Sequence, residues 1–278
     1  KASSPQYQVR VKPDESYSVV MTSDVFNPAN SLLAQEINKQ RVFYLVDQGI
    51  GQEAINSIYQ YNQHYAIKAD LMVVPGGENV KDGVKWAFKV IERVENFQID
   101  RKQLMVLVGG GAVLDMAGFA ASILHRGVPH IRIPSTLLAQ IDAGVGTKNA
   151  VNFLGQKNFL GVFQTPKIVI VDPGLLLTLD DRQMQAGMAE AVKVALMKDR
   201  ALFELLEGSY QEVLNKDFSA ESKAKEIIWL TIVAHVEQIQ TDPYEKELAR
   251  PLDYGHQWGH RLEMVTEHRL NHGEAVSV

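Results

Sequence analysis

Short, continuously apolar runs, each handing over to a glycine or an acid and then to a helical stretch, limit what this chain can fold into. Arg41-Val-Phe-Tyr-Leu-Val-Asp47 reads as a buried strand ending in a carboxylate. Leu71-Met-Val-Val-Pro75 is a second, followed by Gly76-Gly77-Glu78 and a helical pattern over 84–94. Leu104-Met-Val-Leu-Val108 is a third, running straight into Gly109-Gly-Gly111 and a helix through Ser122. His130-Ile-Arg-Ile-Pro134 and Ile168-Val-Ile-Val-Asp172 read as further strands. Strands that are apolar throughout are covered on both faces, which is the habit of parallel sheets flanked by helices. From about Asp181 the pattern changes: 183–196, 201–214 and 221–239 all show helical spacing with no strand-like run between them. The expected architecture is an α/β domain over 1–180 followed by an all-α domain over 181–278.

The bulk properties remove several function classes. The chain has 278 residues, 46% of them hydrophobic and 22% charged, with a net charge of −5. An acidic balance argues against general nucleic-acid binding, although a local basic cluster can still dominate the field in a cleft. No cysteine is present, so there is no disulfide framework and no thiolate nucleophile, which fits a cytoplasmic protein. No apolar run approaches the ~18 residues of a membrane span. The chain starts at Lys1 rather than Met and stops within the apolar run Ala275-Val-Ser-Val278, so a further C-terminal stretch is expected.

Chemistry-bearing residues gather at the strand ends. The Gly109-Gly110-Gly111 turn, with Asp115 one helical turn on, lets backbone N–H groups approach a pyrophosphate at a helix N-terminus; a plain tight turn is the alternative. Asp47 could hold a ribose hydroxyl, although on sequence alone a helix N-cap or a solvated carboxylate is the commoner meaning of such a residue. Glu78 and Lys81 add an acid and an amine at the next turn. Arg126, Arg132, Asp142, Lys148, Asn152, Lys157 and Asn158, among Gly144, Gly146, Gly155 and Gly161, suit phosphate and hydroxyl recognition, or else form an exposed polar loop. Glu190 and Lys193, at i,i+3 within an apolar helical stretch, are expected to face inward, where the carboxylate needs a partner. Asp253-Tyr-Gly-His256-Gln-Trp-Gly-His260 and Asn271-His272-Gly-Glu274 crowd imidazoles and carboxylates together. Two imidazoles with a carboxylate are a usual set for Zn²⁺ or a similar ion, while an isolated HxxxH pair is more often a surface feature.

In order along the chain, GGGAVLDMAGFAAS, RIPSTLLAQIDAGVGTKNAVN, QKNFLGVFQTP, GMAEAVK, DYGHQWGH and NHGE resemble the sugar phosphate cyclases, the family of 3-dehydroquinate synthase. The resemblance covers residues 47–274 and implies a dehydroquinate synthase-like fold, an α/β NAD-binding domain and a helical domain with a divalent metal, Zn or Co, in the cleft. Carried over, it implies Glu190, His256 and His272 as metal ligands, with His260 facing the substrate phosphate instead. It implies NAD contacts from Asp47, Glu78, Lys81, Gly110, Gly111, Asp115, Ser135, Thr136, Asp142 and Thr178, with Lys157 near the nicotinamide. Asp142, Lys148, Asn158, Lys193 and Arg126 match substrate positions, Arg126 by reaching across a homodimer interface. The implied partner is a small sugar phosphate. The implied chemistry is transient oxidation of a ring alcohol, β-elimination of phosphate, re-reduction and intramolecular aldol closure, with the metal as Lewis acid.

The chain departs from dehydroquinate synthases where their substrate carboxylate is clamped. Asp253 stands where those enzymes have Asn, His235 falls at the position of a lysine upstream of the acid matched by Glu245, and their arginine appears as Arg250, shifted by one position. An aspartate repels a carboxylate but accepts from sugar hydroxyls. Together with Val151-Asn152-Phe153 and Ala195-Leu-Met-Lys-Asp199, these changes look like the branch that cyclises sedoheptulose 7-phosphate, the valiolone synthases. Gly259-His260 replaces the Ser-Pro usual in 2-epi-5-epi-valiolone synthases, which leaves 2-epi-valiolone open as product. Deoxy-scyllo-inosose synthase shares Gly-His but has Glu at the Asp253 position. Metal-dependent polyol dehydrogenases share the general architecture and would show net NADH formation.

Overall fold

The computed structural model describes residues 15–247, 251–266 and 269–278, the side chain of His260 excepted. Its centre is a six-stranded sheet in the order β1-β8-β5-β4-β2-β3, with every pairing parallel. The strands are β1 (Ser18–Met21), β2 (Val42–Asp47), β3 (Ala69–Val74), β4 (Leu104–Gly109), β5 (His130–Pro134) and β8 (Ile168–Val171). The apolar runs are strands as expected, and β1 joins them as an edge strand paired in register with β8.

Pleating divides each central strand between two cores. Phe43, Leu45, Met105 and Leu107 face one side, where α3 (Lys85–Phe97) and α4 (Gly111–Ile123) cover them. Val42, Tyr44, Val46, Val106 and Val108 face the other, under α1 (Leu32–Ile37) and α2 (Gly51–His64). This two-sided burial is why β4 and β2, up to its terminal Asp47, carry no charged residue along their length. The chain leaves β2 toward one edge of the sheet and β4 toward the other, so the carboxyl ends of these adjacent strands form a topological switch point. Open α/β sheets place ligands there.

After Val171 the described elements are helical: α5 (Asp181–Lys198), α6 (Arg200–Leu214), α7 (Ala224–Thr241), α8 (His256–Val265) and α9 (His272–Val276). Their core is continuous with the α/β part. Met184, Met188 and Val194 of α5 cluster with Leu202, Ile228, Leu137, Ile141 and Val171.

The polar, glycine-rich segment is more ordered than its composition suggests. Its residues form an antiparallel hairpin, β6 (Lys148–Phe153) and β7 (Gln156–Phe163), turning at Leu154 and Gly155, both with positive φ. That two-residue turn matches the twist of antiparallel strands, and polar residues and Gly161 interrupt the apolar ones, which hides the strands from a search for apolar runs. Arg132 also departs from expectation. It is fully buried and donates to the carbonyls of Gly144, Gly146 and Lys148 and to Asn149 Oδ1 at 2.5–3.3 Å. It braces the loop between Asp142 and Lys148 from beneath and is not available to a phosphate.

Candidate active site

At the switch point Asp47 joins two turns. Its Oδ1 accepts from Gly49 N at 2.8 Å and its Oδ2 from Gly110 N at 3.2 Å, and it is buried. A side chain at Gly76 would strike Asp47 Oδ1 at 2.5 Å, so that glycine is needed for packing. Asp47 therefore caps the turn after β2, the local reading of this residue, while standing beside the Gly110 end of α4. Gly110 has no side chain of its own with which to cap α4, and Asp47 is the side chain that accepts from its N–H. Thr136 packs against the Gly110 position, and Ser135 donates its backbone N–H to Gly109. Thr178 is exposed at the end of the 3₁₀ turn Pro173–Thr178, beyond β8.

Lys81 links the cofactor-type residues to the hairpin. Only 3% exposed, its Nζ lies 2.7 Å from Asp115 Oδ2, 2.5 Å from Asn158 Oδ1 and 4.0 Å from Glu78 Oε1. The next hairpin residue back, Lys157, pairs with Glu263 Oε2 of α8 at 2.6 Å.

On the helical side, Glu190 is fully buried and Lys193 nearly so, with Lys193 Nζ 2.5 Å from Glu190 Oε2. Both face inward as their apolar neighbours require. His272 Nε2 lies 3.1 Å and His256 Nε2 3.6 Å from Glu190 Oε1. One ligand atom from each of Glu190, His256 and His272 falls within 4.8 Å of the others. Donors held ~2.1 Å from a tetrahedral ion stand about 3.4 Å apart, so this set fits a divalent metal.

The Asn-His-Gly-Glu motif explains how His272 arrives. Asn271 and Glu274 form a reciprocal capping box at the start of α9, and Glu274 also pairs with Arg182 of α5 at 2.7 Å. Gly273 lets the helices touch, since a Cβ there would sit 2.1 Å from the carbonyl oxygen of Ala186. Glu274 thus holds structure, whereas His272 projects toward Glu190.

Electrostatics couples the cluster. Burial opposes the charge on His272, but its hydrogen bonds to Glu190 and Glu263 carry its pKa up to about 9. Burial would raise Glu263, yet His272 and Lys157 bring it down to about 2. Asp142 is likewise penalised by burial but held well below the carboxylate range by His235, Lys193 and Lys148. Burial depresses the His235 pKa against the pull of Asp142, its Nε2 being 3.2 Å from Asp142 Oδ1. Lys148 pairs with Glu245 at 2.8 Å.

The structure thus brings together Glu190, Lys193, His256, His272, Asp142 and His235, and joins Lys81, Asp115, Asn158 and Lys157 along the hairpin. Asp253 ends the 3₁₀ turn Pro251–Asp253 just before α8. Arg250 and the His260 side chain lie outside the described residues. Arg126 is exposed in the 3₁₀ turn Leu124–Arg126 that follows the C-terminal end of α4, the end opposite Gly111. Sequence reading missed Glu263, whose signal was its place seven residues after His256, on the same face of α8.

Comparison with known proteins gives the same frame. Residues 71–186 match the 3-dehydroquinate synthase N-terminal family and residues 187–278 the 3-dehydroquinate synthase C-terminal family. A 2-epi-5-epi-valiolone synthase from Actinomyces sp. is 34% identical over 284 residues, covering 98% of this chain and 74% of that protein. A 3-dehydroquinate synthase from Helicobacter hepaticus is 41% identical over 207 residues, covering 74% of this chain and 57% of that protein. The solved structure of ValA, a 2-epi-5-epi-valiolone synthase from Streptomyces hygroscopicus subsp. jinggangensis with NAD⁺ and Zn²⁺ bound, superimposes with a TM-score of 0.91 at 33% identity, covering 97% of this chain and 74% of that one. With matched halves, matching topology and a two-histidine, one-carboxylate cluster, the chain belongs to the 3-dehydroquinate synthase family, the sugar phosphate cyclases.

Proposed function

We propose that the protein is an NAD- and metal-dependent cyclase that converts sedoheptulose 7-phosphate to a valiolone-type C7 cyclitol with loss of phosphate. The observation that carries this reading is the Glu190–His256–His272 cluster lying against Lys193. When bound, NAD would supply reversible hydride removal and the metal would polarise the reacting sugar oxygens. Glu190, His256 and His272 would hold the metal. The Gly110 end of α4, with Asp47, Glu78, Lys81, Asp115, Ser135, Thr136, Lys157 and Thr178 around it, would hold the dinucleotide.

Lys193, Asn158 and His260 are assigned to the phosphate, where fixed positive and polar groups stabilise charge on the leaving group. Lys148 and Asp142 are assigned to the sugar hydroxyls, and Asp253 accepts from another. Arg126 is assigned to the site of a second copy in a homodimer, which its place in the turn after the C-terminal end of α4, opposite the Gly110 end, supports. Absence of a substrate carboxylate is supported by His235, which is paired with Asp142 where a carboxylate-binding lysine would stand.

A second reading, 3-dehydroquinate synthase, is favoured by the 41% identity to the H. hepaticus enzyme. Phosphate release separates the two. The full-length protein with NAD⁺ and Co²⁺ or Zn²⁺ is offered sedoheptulose 7-phosphate, the carboxylated heptulosonate phosphate and glucose 6-phosphate in parallel. Release from sedoheptulose 7-phosphate alone, without net NADH, is expected; release only from the carboxylated sugar refutes the assignment. Release only from glucose 6-phosphate would assign deoxy-scyllo-inosose synthase instead.

A further inference from the structure

Glu263 is 3% exposed and lies outside the residues given a role above. Its two oxygens do different things. Oε1 is 2.8 Å from His272 Nδ1, while Oε2 is 2.6 Å from Lys157 Nζ on β7. The opposite nitrogen of the same imidazole, His272 Nε2, points at Glu190 Oε1, 3.1 Å away. With Nδ1 committed to Glu263, the ring presents Nε2 to the cluster. A carboxylate on the far nitrogen of a ligating histidine fixes ring orientation and tautomer and raises the basicity of the donor nitrogen.

We propose that Glu263 is a positioning residue that aims His272 into the metal site and fastens that site to the β6–β7 hairpin through Lys157. The proposal rests on the metal reading above and extends it to a residue that touches neither ion nor substrate. The hairpin is an informative anchor: Asn158, next to Lys157, contacts Lys81, which holds Asp115 at the first turns of α4. Two adjacent hairpin residues therefore reach the metal side and the dinucleotide side respectively.

A competing role for Glu263 is purely structural, an ion pair pinning β7 to α8. The test compares Glu263→Gln, Glu263→Ala and Lys157→Met in the full chain. Co²⁺ affinity is measured by chelator competition, and the visible spectrum of the bound Co²⁺ reports its ligand geometry. Melting temperatures of the metal-free proteins are recorded alongside. Glutamine keeps an acceptor for Nδ1–H without the charge, so affinity is expected to fall in the order wild type, Gln, Ala. The loss should be about 10–100-fold for Ala, with an altered Co²⁺ spectrum. Lys157→Met removes the ion pair but leaves the His272 contact, and Co²⁺ affinity should stay within a few-fold of wild type. Wild-type affinity and spectrum in both Glu263 variants would overturn the proposal, as would equal losses in Lys157→Met and Glu263→Gln. Failure of the wild type to bind Co²⁺ at one equivalent would instead overturn the metal reading itself.

Discussion

Replacing Gly273 with alanine tests whether close helix packing builds the candidate metal site. Glycine is a poor helix former, and Gly273→Ala in α9 would on propensity alone stabilise by up to about 1 kcal/mol. The tertiary contact has the opposite sign. The added Cβ would lie 2.1 Å from Ala186 O and 2.5 Å from its carbonyl carbon. These are backbone atoms inside α5 and cannot rotate away. Restoring an ordinary contact requires α9 to retreat from α5 by about 1 Å, and overpacking of this kind costs about 1–3 kcal/mol. The net expectation is a loss of about 1–2 kcal/mol, or a melting temperature lower by roughly 3–6 °C. His272, the preceding residue, moves with the helix, and its 3.1 Å separation from Glu190 opens to about 4 Å. Metal sites tolerate only about 0.2 Å in each bond, so Co²⁺ affinity should fall by at least tenfold. Calorimetry of the metal-free protein and chelator competition check the two halves. A higher melting temperature with unchanged Co²⁺ affinity would refute the packing reasoning.

Other perturbations address different parts of the molecule. Lys81→Met strands Asp115 and Glu78 without their cation. Because those carboxylates are 19% and 31% exposed, the loss should be about 2–3 kcal/mol, below the range for a fully buried pair. Urea unfolding should show it, with Asp115→Asn in the same chain recovering part. Arg132→Met removes the donor to three loop carbonyls and should cost about 2–4 kcal/mol while exposing the 144–148 loop to proteolysis. His130 is fully buried beside Arg132, and burial followed by that guanidinium pushes its pKa down to about 3. An imidazole depressed in the folded state stabilises above its unfolded pKa and loses that contribution as pH falls from about 6.5 toward 3. In that window it steepens the loss of stability by up to about 1.4 kcal/mol per pH unit. His130→Leu should flatten the dependence between pH 6 and 4, which denaturant titrations at several pH values will show.

How much was legible in the sequence depends on which interactions carried the signal. The strands of the sheet were readable because a strand buried on both faces must be apolar at every position, a local rule visible in Val42–Val46 and Leu104–Val108. The inward pair Glu190 and Lys193 was readable for a related reason: charges amid apolar helical neighbours have nowhere else to point. The β6–β7 hairpin was not readable, since polar residues and Gly161 break up its apolar positions and its turn uses Leu154 beside Gly155. Arg132 misled because composition records a cation without recording that backbone carbonyls surround it.

By itself, then, the sequence determined the parallel α/β sheet, the change to helices near residue 180, the glycine turn after β4 and, through the resemblance of ordered motifs, the chemical types at the site. Tertiary structure alone decided which of these residues meet. His272 reaches Glu190 because Gly273 allows α9 against the carbonyl of Ala186, and Asn271 and Glu274 fix the helix start. Glu263 joins Lys157 across more than a hundred positions, and His235 answers Asp142 from a different helix. Periodicity and spacing describe neighbours along one element, whereas a pairing between elements depends on the distance and angle at which they pack, which no local pattern encodes.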